Sequence, residues 1–220
     1  MILTEYYTRI RALLVDASSL VWASAQIDEA IRQALAEYQA VVPFTNETII
    51  TCPADGREIA LNEVTGLLTV SQVWWPYTLT GSEVWPPNRV KGYSVWWDDG
   101  RPVLFIDSDD GDQPQLDDSV RLWYTKAHTI QNLDSASTTT PRADHESALV
   151  IGAAGYAAIM RFVDRTEGFQ EGREQIQTLE QWGFNRLRDF RRHLSIFRAA
   201  SKAGRGDPFG SGWKVDKWDK

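Results

Sequence analysis

DHESALVIGAAGYAAIMR, residues Asp144–Arg161, is the stretch around which the rest of the chain is read. Leu149, Ile151, Ile159 and Met160 supply bulk, while Gly152, Ala153, Ala154, Gly155, Ala157 and Ala158 leave almost no side chain between them. A run this apolar and this small predicts a helix packed on several sides, where neighbouring backbones approach closely. The competing reading is a membrane span. The uncharged run from Ser147 to Met160 falls short of the roughly 18–20 residues that cross a bilayer, and Glu146 and Arg161 close it at both ends. A buried helix at the centre of a helical core is the expectation.

Working outward, the 220 residues are enough to bury a substantial core, as one domain or as one domain carrying a second inserted in it. The single cysteine, Cys52, leaves no internal disulfide framework and no thiol cluster for zinc. The opening MILTEYYTRIRALL lacks the basic-then-apolar order of a signal peptide, because Glu5, Arg9 and Arg11 interrupt it. A soluble protein made in a reducing cytoplasm is therefore expected. The net charge of −7 is unevenly placed. Asp98, Asp99, Asp107, Asp109, Asp110, Asp112, Asp117 and Asp118 stand against Arg101 alone, whereas from Arg173 to Lys220 cations outnumber carboxylates. Such asymmetry suits oriented contact with a partner.

Leu3–Val15 places Leu3, Tyr6, Tyr7, Ile10, Leu13 and Leu14 at helical spacing. Asp16–Ser19 breaks that helix. A second, capped by Ser24 or its neighbour, carries Ile27, Ile31, Leu35 and Tyr38 and stops at Pro43. From Thr45 the period changes to alternation. Thr48–Cys52 and Arg57–Leu61 flank Pro53-Ala54-Asp55-Gly56, which predicts a hairpin, and Asp98-Asp99-Gly100 predicts a second. Leu67–Trp75, Tyr93–Trp97, Val103–Ile106 and Val120–Tyr124 complete a set of strands. Ser135–Pro141 returns the chain to helix, with Thr140 or Asp144 as the cap. A last helix over about Glu171–Ala199 has Ile176, Leu179, Trp182, Leu187, Phe190, Leu194 and Phe197 on one face and Arg188, Arg191, Arg192 and Arg198 on another. Beyond it, Ser201–Lys220 holds Gly204, Gly206, Gly210 and Gly212 but also Phe209, Trp213, Val215 and Trp218. That tail reads as a peptide that orders on docking into a partner, or as a frayed end.

Motifs for chemistry are few. His128, His145 and His193 are far apart, without HExxH spacing or nearby cysteines, and no GxSxG, Walker A or GxGxxG pattern occurs. No catalytic residue, cofactor or metal is assigned. Asp107-Ser108-Asp109-Asp110-Gly111-Asp112 approaches a calcium loop but has Gly111 where the fifth-position ligand belongs and Asp112 where the turn glycine belongs. It reads as a solvated acidic loop. Trp74, Trp75, Trp85, Trp96, Trp97 and Trp123 crowd the strand region. One reading is a small sheet that fills its thin core with large rings. In a strand, however, each adjacent pair points one ring to each face, so at least two tryptophans are expected away from the core, against another domain or subunit or on a sugar-binding face.

Four stretches carry a resemblance to the head–tail adaptor (connector, or head-completion) proteins of tailed bacteriophages. They are the opening helix ending in Leu13-Leu14-Val15-Asp16; Trp22-Ala23-Ser24-Ala25-Gln26-Ile27-Asp28-Glu29-Ala30-Ile31 with Ala34-Leu35-Ala36-Glu37-Tyr38; Val120–His128; and Gly152–Ala157 followed by the Trp182 to Leu194 helix. Together they span most of residues 3–197, and the strand region is enlarged relative to the smallest, all-helical members. The resemblance implies a non-enzymatic ring of commonly twelve subunits beneath the portal protein, extending the DNA channel toward the next neck or tail protein. It further implies a C-terminal segment that enters the portal, which would make Phe209, Trp213, Val215 and Trp218 the anchors. The acidic residues Asp107, Asp109, Asp110 and Asp112 would line the channel, keeping the passing double-stranded DNA from sticking, or face the tail. Localisation would be the virion neck, after synthesis in the host cytoplasm, without a membrane.

The expected architecture is α+β. An N-terminal helical hairpin (1–44) and a C-terminal helical pair (129–200) form a four-helix bundle, an antiparallel β domain (45–128) is inserted between them, and an extended tail (201–220) docks on the portal. A tail-terminator or other neck ring protein, or a tryptophan-rich carbohydrate-binding module, are the alternatives.

Overall fold

In a computed structural model of the chain, residues 1–16, 18–77, 90, 92–107, 111–167 and 173–204 are described, with side chains for all of these except 164–167, 173–176 and 200–204. The described residues form an α+β structure, with four helices and two small antiparallel sheets. Contacts divide the chain into two compact units, Met1–Val42 with His128–Lys220, and Pro43–Ala127.

The first unit holds the helices α1 (Leu3–Leu13), α2 (Ser24–Val41), α3 (Glu146–Glu167) and α4 (Arg173–Gly204). Glu5 accepts the N–H of Ile2 at 3.0 Å, and Gln26 accepts that of Ala23 at 3.2 Å. Each start therefore has an orphan donor satisfied from within the first turn. Ser24 instead accepts a hydrogen bond from Arg11 (3.2 Å). Helix α3 touches all three others. Its small residues make this possible: a Cβ added to Gly152 would stand 2.7 Å from the Phe190 ring, and one on Gly155 would meet Leu187 at 3.0 Å and the carbonyl of Gly183 at 3.1 Å. The window Glu146–Val163, of mean hydropathy 1.3, is long and apolar enough to cross a membrane by length and composition. Its packing against α1, α2 and α4 explains that composition without a bilayer.

Thr140 does not cap α3. Its hydroxyl accepts the N–H of Thr129 (2.9 Å) and lies 3.0 Å from His128 Nδ1, which makes it part of the preceding loop.

The second unit holds β1 (Phe44–Thr51), β2 (Glu58–Ala60), β3 (Leu67–Trp74), β4 (Gly92–Asp98), β5 (Arg101–Asp107) and β6 (Ser119–Lys126). One sheet has the order β1-β6-β3 and the other β2-β5-β4. Val73, Leu122 and Tyr124 of the first meet Ile59, Leu104 and Ile106 of the second in one core. The alternation along β6 is the reason: Val120, Leu122 and Tyr124 face that core, while Arg121 and Trp123 face away.

The hairpin expected around Asp55-Gly56 is not formed. Strand β1 pairs with β6, and β2 with β5, so the Pro53–Gly56 turn carries the chain from one sheet to the other. A two-residue Asp-Gly hairpin turn needs both residues near the left-handed helical region, whereas Gly56 sits at φ +145. The turn is tied instead to the segment before β6, by Gly56 N–H on the carbonyl of Pro114 (2.9 Å) and Leu116 N–H on the Asp55 carboxylate (2.7 Å). The second expected hairpin is present. Asp98 and Arg101 are register partners, and Asp99 (φ 45) and Gly100 (φ 75) supply the two positive φ values that such a turn requires.

Candidate functional surfaces

The strand unit exposes its aromatic content unevenly. On the outer face of the β1-β6-β3 sheet the Arg121 guanidinium lies 4.6 Å from the Trp123 ring centroid, 5.4 Å from that of Trp74 and 5.3 Å from that of Tyr77. It also donates to Glu47 Oε2 at 3.0 Å and to the Tyr77 hydroxyl at 3.3 Å. The Trp74 and Trp123 rings are 4.4 Å apart. These outward rings are thus packed on a cation and on each other, an arrangement that stabilises the face itself. Trp75 packs against the core, and its indole donates to Asp118 at 3.1 Å. Trp96 leans on Phe105, with centroids 5.3 Å apart. Trp97 has the same strand parity as the core-facing Val95 but lies beyond the end of the core, and is 58% exposed. Trp85 lies outside the described residues.

Of the acidic residues singled out in the sequence, Asp107 ends β5 and pairs with Arg57 at 3.4 Å, and Asp112 is exposed. Asp109 and Asp110 lie outside the described residues, as do all four tail positions, Phe209, Trp213, Val215 and Trp218. Asp118, counted with the acidic run, is occupied: it accepts from Trp75 and from the N–H of Gln115 (2.9 Å). Among the described residues no group of three or more metal-ligating side chains comes together.

The helical unit contains polar groups that sequence patterns alone do not reveal. Asp16, after α1, is 2% exposed and accepts the backbone N–H groups of Leu20, Val21 and Trp22 at 3.0, 3.2 and 3.1 Å. Burial opposes its charge, but the three N–H bonds and nearby Arg11 outweigh it and hold the carboxyl below its ordinary value. The loop it braces puts Val15 at φ 55 and leaves Val15 and Leu20 exposed. Glu37 receives the Tyr156 hydroxyl at 2.5 Å and Arg191 at 2.7 Å, joining α2, α3 and α4. Burial works against that carboxylate too, and the Arg191 and Tyr156 hydrogen bonds more than offset it, lowering its pKa.

Two buried histidines complete the set. The Tyr38 hydroxyl is 2.8 Å from His145 Nδ1, and the His145 ring stacks on Phe197 with centroids 3.6 Å apart. His128 Nε2 lies 2.8 Å from the carbonyl of Val42, which can only accept; that nitrogen therefore carries the proton, and Nδ1 accepts from Thr140. Burial lowers both pKa values below the ordinary 6.5; at His128 the Val42 carbonyl opposes this and the nearby His145 adds to it. With folded values below the unfolded one, the unfolded chain binds protons first as pH falls. Stability is therefore expected to be full above about pH 6.5 and to decline below it, in a range where carboxylates still hold their charge. Urea midpoints measured from about pH 7.5 to about pH 5.5 check this, and His128→Gln should flatten the decline.

No family model matches the chain, and no curated protein sequence matches it. Among solved structures, the chain is similar to one described as the neck of an empty GTA particle computed with C6 symmetry. The identity is 16% over 70% of this chain and 75% of that one, with a TM-score of 0.31. It is also similar to a chain from the virion of a native gene transfer agent (GTA) particle, at 17% identity over 81% of this chain and 87% of that one, with a TM-score of 0.30.

Proposed function

We propose that the chain is a non-enzymatic structural protein of a phage neck, a head–tail adaptor that docks beneath the portal and carries the DNA channel toward the tail. The observation that carries this reading is the placement of the four stretches behind the sequence resemblance. They fall on α1, on α2, on β6 at the centre of its sheet, and on α3 with α4, and the helical ones contribute to a single core. In this reading the four helices act as the bundle of the adaptor, copies assemble as a ring of about twelve, and Phe209, Trp213, Val215 and Trp218 anchor the tail in the portal. The aspartates around Asp107 and Asp112 face the channel or the next tail component, where like charge repels DNA.

Mixing the protein with assembled portal rings tests this, using the 220-residue chain and a form truncated after Ala200, with bound subunits counted by native mass spectrometry. Stoichiometric occupancy that disappears on truncation is the expected result. Occupancy that survives truncation moves the docking surface to the helices. If neither form binds, the adaptor role is wrong.

A further inference from the structure

Two exposed surfaces of this chain match each other in charge and in apolar content. The first is the tip of the β4–β5 hairpin. Asp98 and Asp99 sit at the turn, both exposed, with Trp97 58% exposed beside them. Among the described residues neither aspartate has an ion-pair partner. The second surface is the ridge of α4 formed by Phe184, Arg188, Arg192 and Ile196. These recur at four-residue steps, a spacing that places neighbours side by side along a helix, and all four are exposed, Phe184 by 51% and Ile196 by 56%. Arg191, one residue away, is spent on Glu37, and Arg186 pairs with Asp189 at 3.7 Å. Among the described residues Arg188 and Arg192 have no carboxylate within ion-pair distance.

We infer that the β4–β5 tip of one copy docks on the Phe184–Ile196 ridge of α4 in a second copy, Asp98 and Asp99 meeting Arg188 and Arg192 while Trp97 lies against the arginine planes and Phe184. Charge complementarity selects the occupant: the most concentrated acidity in the sequence surrounds this hairpin, and the ridge supplies unspent guanidinium groups of the opposite sign. Exposed ion pairs contribute little one at a time. A tryptophan over arginine and an aliphatic flank add the apolar component that makes such a contact specific. A contact between two different surfaces can repeat head-to-tail from copy to copy, and it closes a ring where the rotation between copies allows. The inference deepens the proposed role and rests on it in one respect, that adjacent subunits of a ring are where this contact would be made. It requires no portal.

The test is sedimentation velocity of the chain alone, at increasing concentration and at low and high salt, for wild type, D98K/D99K, R188E/R192E and an equimolar mixture of the two variants. Wild type should associate, more weakly at high salt. Each variant alone should lose association by roughly tenfold or more, because like charges then face each other. The mixture should recover it, since the intact tip of one variant meets the intact ridge of the other. W97A should weaken association without abolishing its salt dependence. A wild-type chain that stays monomeric throughout overturns the contact, as do variants that associate like wild type. Loss caused by R188E/R192E but not by D98K/D99K would give the ridge a different anionic occupant and also overturn it. Portal binding is unaffected by these outcomes, so failure here is separable from failure of the adaptor role.

Discussion

Replacing Gly152 by leucine is expected to destabilise the helical unit by about 3 kcal/mol, at the upper end of overpacking costs. A single added carbon would already stand 2.7–2.9 Å from three atoms of the Phe190 ring, and Phe190 is fully buried. Leucine brings three further carbons to the same place. The gain in helix propensity on leaving glycine, under about 1 kcal/mol, offsets only part of this. The melting temperature should fall by roughly 6–12 °C for a chain of this size. Ala199→Leu, at an exposed position of α4, should leave it unchanged. A Gly152→Leu protein that melts with wild type would mean that α3 and α4 do not approach as closely as described.

Leu122→Ala is expected to cost a similar amount in the other unit, about 3 kcal/mol for a fully buried leucine. Leu122 lies at the middle of β6, with Thr48 of β1 and Val73 of β3 as its register partners, so the cavity opens where three strands meet. Among the described residues, the core around it contains no helical one. Amide exchange in β1, β3 and β6 should therefore accelerate by roughly a hundredfold, the equivalent of that free energy, while the amides of α3 keep their wild-type protection. Uniform acceleration over both units would show instead that they open together.

What the sequence makes legible follows from the range of the interactions involved. The central helix announces itself through composition, because the close packing of α3 on three neighbours can only be built from residues such as Gly152, Ala154 and Gly155. The β4–β5 hairpin is equally local, since Asp99 and Gly100 carry their own turn chemistry. The misread turn at Pro53–Gly56 shows the limit. Alternation in Thr48–Cys52 and Arg57–Leu61 reports that each strand has one buried face, but two strands on opposite sides of a shared core alternate just as a hairpin does. Partner choice for β1 is settled by β6, more than 70 positions away in register pairs such as Thr48 and Leu122. Asp16 was illegible for a similar reason. A carboxylate in a loop reads as solvated until the backbone folds three N–H groups around it. The surfaces divide in the same way: the arginines of α4 are visible as a stripe, but only the fold separates Arg191, spent on Glu37, from Arg188 and Arg192.

The register of β1 with β6 begins at Phe44 opposite Lys126, so the chain leaves the helices and returns to them through neighbouring positions on adjacent strands. Val42 and His128, the residues on either side of the excursion, are already bridged by the hydrogen bond that the His128 imidazole donates to the Val42 carbonyl. The splice point is closed whatever hangs from it. A segment whose two ends are held side by side in this way is of the kind that tolerates shortening, enlargement or exchange, because the span the helices must bridge does not change with it.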